Sequence, residues 1–189
     1  MKIFGTIALC LLVLASANVA VAQESVEKVD NRAAKRAAID QMARETLERL
    51  LGEDQAASSA ADSAVGYAVF DSFKAALLVS GGGGVGVAVD SSTGTRTYMK
   101  MGAAGIGLGI GGQSYQVVFL FETQAALDRF IQKGWQADVN ASAAAGTKGA
   151  NEAVSFNNGV AIFQLTYKGL MAQADITGTK YWKHKKLNR

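Results

Sequence analysis

Three features of this 189-residue sequence predict an α+β protein. Its main body is an antiparallel glycine-rich β-sheet, sandwich or barrel-like, with N-terminal helices and one internal helix. Apolar residues recur at helical spacing before residue 64 and again over 123–133. From Val65 onward the pattern switches to short β-like runs of period two. The 21 glycines concentrate in those runs and proline is absent, which excludes collagen-like and proline-rich linker architectures. With 49% hydrophobic and 19% charged residues, the chain is too apolar for a disordered polymer and long enough to bury a core.

The first 22 residues read as a cleavable secretory signal. Lys2 is followed by the uncharged run Ile3–Ala15, and Ala20-Val21-Ala22 supplies a small-x-small cleavage pattern. Leu9 before Cys10 lacks the small residue that lipidation wants. Cleavage after Ala22 removes the only cysteine and with it all thiol chemistry, which suits a periplasmic or secreted protein. Beyond it, residues 23–64 hold 6 basic and 9 acidic groups, whereas residues 65–189 hold 12 basic and 7 acidic ones. The body is therefore mildly cationic and suited to anionic surfaces.

Residues 23–64 form a helical segment. Val29, Ala33, Ala37, Ile39, Ala43, Leu47, Leu50 and Leu51 trace an apolar stripe, and Gly52 is the expected stop. A second short helix is expected over 53–64, and both helices are expected to pack on the domain that follows rather than on lipid, because the stripe is shallow and alanine-rich. Residues 65–182 form the β-rich domain. Its runs are GYAVFD, KAALLVSGGGGVGVAVD, TRTYMKMGAAGIGLGIGG and SYQVVFLF, with a turn cluster at Asp90–Thr95. Thr123 caps a helix that Gly134 ends, with Ala126, Leu127, Phe130 and Ile131 on its inner stripe. A strand over 135–145, a polar loop over 146–158 and a closing hairpin around Lys168-Gly169 follow, then a basic tail over 183–189.

Gly81, Gly83 and Gly86 satisfy G-x-G-x-x-G, as do Gly107, Gly109 and Gly112, but each set runs on into a strand. A dinucleotide loop requires a helix opening at the glycines. Instead, Gly82, Gly84, Gly86 and Ala88 alternate with Val85, Val87 and Val89, and Gly105, Gly107, Gly109 and Gly111 alternate with Ile106, Leu108 and Ile110. Each set places its glycines on one strand face. Bare strand faces imply close backbone approach, with a groove for a flat or linear ligand as the second reading.

Catalytic constellations are missing. The single histidine, His184, lies in the basic tail, and the seven acids after residue 64 are scattered. No enzyme activity, metal or cofactor is expected. The segment Lys180 to Lys186 interleaves Trp182 with Lys180, Lys183, Lys185 and Lys186, a mixture suited to an anionic lipid surface. Export, modest charge and the lack of a recognition motif argue against nucleic acid.

The stretch from Ala64 to Trp182 resembles the SYLF domain family. Four segments carry the likeness: AVGYAVFDSFKAALLVSGGGGVGVAV, MGAAGIGLGIGGQSYQVVFLFET, ALDRFIQKGW and GVAIFQLTYKGLMAQADITGTKYW. The resemblance implies binding of acidic phospholipids, and in eukaryotic members actin bundling. An exported protein meets neither actin nor cytosolic phosphoinositides, so a lipid- or membrane-surface role is the part that carries over. Lys74 and Lys168 stand at matched positions, and Lys100 is a nearby strand cation. The expected function is that of an exported, non-enzymatic protein on anionic phospholipid of the cell envelope. The alternatives are an interaction module for another envelope protein, a small outer-membrane barrel (opposed by the polar helices), and an unrecognised hydrolase.

Overall fold

In the computed structural model, residues 4–136, 156–166, 169–170 and 178–189 are described, with backbone alone over 4–28, 74–80, 105–111, 113 and 169–170. Most of the expected strand after Trp135, most of the following loop and all but Gly169 and Leu170 of the second arm of the closing hairpin lie outside the described residues. The chain divides into two compact units, residues 1–38 and 39–189. Helix α1 is Phe4–Glu53. The rest of the fold belongs to the second unit.

Gly52 does not stop α1; the helix runs one residue further. The boundary is set instead by Asp54, whose carboxylate accepts the amide of Ala57 at 2.8 Å and so caps α2 (Gln55–Ser63). A chain with a strong side-chain cap one residue on has no need of the glycine's left-handed backbone.

The four expected strands are two. β1 (Gly66–Asp90) and β2 (Arg96–Phe121) form one long antiparallel hairpin, in register from Gly66 opposite Phe121 to Val89 opposite Arg96. Nothing between the expected short strands is proline or a turn pair, so the ladder continues. The bend is taken by a register shift between Leu77 and Val79, inside the glycine-rich stretch. Helix α3 (Gln124–Lys133) follows, capped by Thr123 and ended by Gly134 at φ 74°, as the sequence predicts. A Cβ at Gly134 would strike the carbonyl oxygen of Tyr181. β3 (Trp135–Gln136), β4 (Val160–Thr166), β5 (Gly169–Leu170) and β6 (Thr179–Lys183) complete a six-stranded sheet. β2 is its spine: β1 lies along one side, and β4 and β6 pair with opposite ends of the other.

The sheet is a curled half-barrel, and the period-two pattern sorts its two faces. Even positions of β1 and odd positions of β2 face inward. There Phe70, Phe119, Phe121, Tyr181 and Phe130 of α3 are fully buried. Their rings meet edge-on or tilted, Phe70–Tyr181 at 4.7 Å and Phe119–Tyr181 at 5.0 Å. Burial pushes the Tyr181 phenol far above its usual range. The outward face packs Val69, Val87, Val89, Val118 and Leu120 against Ile39, Ala43 and Leu50 of α1 and Ala57 and Ala60 of α2. From Ile39 onward α1, with α2, therefore acts as scaffolding, whereas Val29, Ala33 and Ala37 at the start of the expected stripe are exposed.

The inward glycines of β1 are packing devices. A Cβ on Gly84 would collide with the carbonyl of Asp71, and one on Gly86 with the carbonyl of Val69, because the two halves of the bent strand touch backbone to backbone. The matching glycines 105–111 lie where only the backbone is described.

The last residues are pinned rather than loose. Leu187 is buried with the outer-face cluster. Asn188 accepts the Tyr98 amide at 3.0 Å and donates to the carbonyls of Tyr98 at 2.7 Å and His184 at 3.1 Å. Asn188→Ala removes all three bonds, and the expected loss is about 1–3 kcal/mol in urea unfolding.

The β1–β2 turn contains a titrating lock. Asp90 accepts the amides of Ser92 and Thr93, the Ser92 hydroxyl at 2.6 Å and the Gln124 amide at 2.9 Å. These donors, the Ser92 hydroxyl foremost, hold its carboxyl at about 2, below the ordinary 3.8. A depressed folded value means the contribution is complete above the unfolded value and is lost as pH falls through the folded one. The expected result is a decline in stability from pH about 4 towards about 2 that is shallower in Asp90→Asn, read by urea midpoints across that range.

Candidate functional site

β2 and its neighbours place a mixed cationic and apolar surface on the convex face, beyond the area the helices cover. Val85, Lys100 and Trp182 form one cross-strand row, and Gly83, Gly102, Lys180 and Gln136 form the next. Neither row contains an acid. Trp182 is 41% exposed and Val85 39%, although β-sheet residues of this size usually find cover. Trp182 lies flat because Gly102 is bare: a Cβ there would come within 3.0 Å of its ring.

The same device recurs on the other half of the ribbon. Phe73, opposite Ser114, is 51% exposed, and its ring lies 2.9 Å from where a Cβ would sit on Gly112. By strand parity Phe73, Val85 and Trp182 all project from the convex face. They are the exposed large apolar side chains described in the second unit. Glycines thus serve two purposes here. Inward ones let backbone meet backbone, and outward ones let an exposed ring rest on the strand.

Of the residues singled out in the sequence, Lys100, Lys180 and Trp182 come together on this surface. Lys183 ends β6, and Lys185 and Lys186 occupy the pinned turn after it; all three are exposed. The side chain of Lys74 and the whole of Lys168 lie outside the described residues. The inward glycine face, the second reading for a groove, is closed at Gly84 and Gly86 by the strand itself.

Sequence reasoning passes over Phe73 and Val85. Both were accessible to it, since they share odd parity with Val69 and Val87 yet lie beyond the helical cover. It also passes over a small cleft lined by Arg49, Asp71, Ser114, Tyr115, Gln116, Leu165 and Thr166. Only the fold brings Arg49 of α1 over β2, where its Nη2 donates to Gln116 Oε1 at 2.8 Å. Among the described residues there is no cluster of three or more His, Cys, Asp or Glu able to hold a metal.

Comparison with known proteins gives two results. Residues 102–189 match the family described as Ysc84, Las17-binding protein actin regulator. A relative named Beta cell expansion factor A, from Aeromonas veronii, is 44% identical over 167 residues, which is 87% of this chain. The alignment spans 64% of that relative's length. The family match begins six residues into β2, and the relative's alignment, at 167 residues, extends well beyond it.

Proposed function

We propose that this chain is a SYLF-type, non-enzymatic lipid-binding protein that is exported and docks on anionic phospholipid through its convex sheet face, a reading supported by the match of residues 102–189 to the Ysc84 family. The observation that carries this reading is the coincidence on one face of Phe73, Val85 and Trp182 with Lys100 and Lys180. Exposed aromatic and aliphatic side chains supply shallow burial in the interfacial region, and each lysine near an anionic surface contributes about 1 kcal/mol. Lys185 and Lys186 add positive charge in the turn held by Leu187 and Asn188, whereas Lys183, opposite Met99, projects from the other face by strand parity. The signal-like N-terminus and the lack of a thiol after residue 22 favour the cell envelope or the exterior as the place of action.

Co-sedimentation with vesicles tests the reading. Binding to vesicles rich in phosphatidylglycerol and little binding to phosphatidylcholine alone is the expected result. Raising salt to roughly 1 M, where the screening length is about 3 Å, is expected to weaken binding about tenfold. Equal binding to both lipids, or none, removes the proposal.

A further inference from the structure

We propose that the patch around Trp182 binds the sugar ring of an acidic glycolipid headgroup, a pyranose that carries a carboxylate. The inference rests on the convex-face membrane reading above and names the headgroup class that one part of that face selects.

Trp182 offers a face rather than a tip. Its indole lies down over Gly102, so one side of the ring is against the strand and, at 41% exposure, the other is open. A ring laid flat inserts little into a bilayer, but it presents a broad apolar plane. The axial C–H bonds of a pyranose form a matching plane, and its hydroxyls leave from the edge. Stacking therefore needs polar groups around the indole rather than above it. The register supplies them. Lys100 is the direct partner of Trp182 across to β2, Lys180 shares its strand face two residues earlier, and Gln136 stands opposite Lys180. The glutamine amide both donates and accepts, as a hydroxyl requires, whereas a lysine only donates. With two ammonium groups and no acid in either row, a carboxylate on the ring meets attraction alone.

The floor beside the indole suits the same occupant. Gly83, opposite Gly102, is exposed, and a Cβ there would meet only the Met101 carbonyl oxygen at 3.7 Å, an ordinary contact. Gly84 and Gly86 are bare because the strand closes on them, whereas nothing in the packing requires Gly83, and glycine inside a strand is destabilising relative to alanine. Its bareness leaves a flat shelf next to the ring, where a ligand can approach the backbone closely. Phe73 lacks this setting. Asp71 projects from the same face two residues before it and repels an acidic headgroup, so Phe73 remains a plain apolar anchor.

The test compares co-sedimentation with phosphatidylcholine vesicles that carry the same negative charge as phosphatidylglycerol or as glucuronosyl diacylglycerol. The expected result is about fivefold tighter binding to the glucuronosyl vesicles, the size of one aromatic-face contact. Trp182→Leu keeps an apolar side chain without a flat face, and Gly83→Val raises the shelf without removing a charge or the ring. Each is expected to bring the ratio of the two affinities to about one, with a urea midpoint near that of the wild type showing that the variant is folded. A ratio of about one in the wild type overturns the inference and leaves the phospholipid reading standing, whereas binding to neither anionic vesicle overturns both. A preference that survives in either folded variant overturns the site. Alginate, a soluble polyuronate, binding as tightly as the glucuronosyl vesicles would assign the patch to a free polysaccharide and overturn the lipid-borne assignment.

Discussion

Gly86→Ala is expected to destabilise the protein by about 3 kcal/mol or more. In an ordinary strand this substitution is favourable by roughly 0.5–1 kcal/mol, because alanine loses less backbone freedom on folding. Here the sign reverses. The new methyl would strike the Val69 carbonyl oxygen and come within 2.5 Å of the Phe70 ring. The strand segment carrying Val69 is paired along β2, and Phe70 is fully buried among Phe119, Phe130 and Tyr181, so none of the obstructing atoms is the free end of a flexible side chain. Accommodation requires the two halves of β1 to separate, an overpacking cost at the upper end of the usual 1–3 kcal/mol. Gly81→Ala is the control. Nothing lies within 4 Å of its Cβ position, and its effect is expected to stay within about 0.5 kcal/mol. Urea unfolding followed by tryptophan fluorescence gives both values; equal midpoints for the two variants would show that the bent strand does not close on itself.

The second large effect is on membrane binding. Lys100→Gln with Lys180→Gln is expected to weaken association with phosphatidylglycerol vesicles about 30-fold, from two contributions of about 1 kcal/mol each. Adding Trp182→Ala carries the loss to about 100-fold or beyond, since it removes the one aromatic body in that patch. Glutamine preserves the stem and removes the charge, and all three side chains point away from the two cores. The unfolding midpoint is therefore expected to change little. Wild-type binding by the triple variant would show that the convex face is not the contact.

The α+β class and the order of elements were legible because each rests on periodicity. The cap at Thr123 and the stop at Gly134 followed from local chemistry alone. The lengths of β1 and β2 were not legible. A glycine-rich stretch reads as a break between strands, whereas in the fold it is the middle of a continuous ladder. The scaffold role of α2 and of α1 from Ile39 onward was legible from the shallowness of their stripes, but not the exposure of Val29, Ala33 and Ala37, which continue the same pattern. The cationic residues were legible as residue types, and Lys100, Lys180 and Trp182 meet only because β6 pairs with the start of β2, a long-range contact that no local pattern encodes.

What the sequence determined by itself was alternation: which side chains share a strand face, which positions are bare, and where helices start and stop. Those are properties of neighbouring residues, and a period of two or 3.6 fixes them. The tertiary structure decided what each face meets. Curling brought Gly84 and Gly86 against the strand's own beginning and left Gly102 and Gly112 under exposed rings. It also brought Arg49 of α1 to a small cleft that Asp71 and Gln116 line. The distinction is physical: alternation follows from backbone geometry one residue at a time, but close approach depends on segments far apart in sequence arriving at the same place.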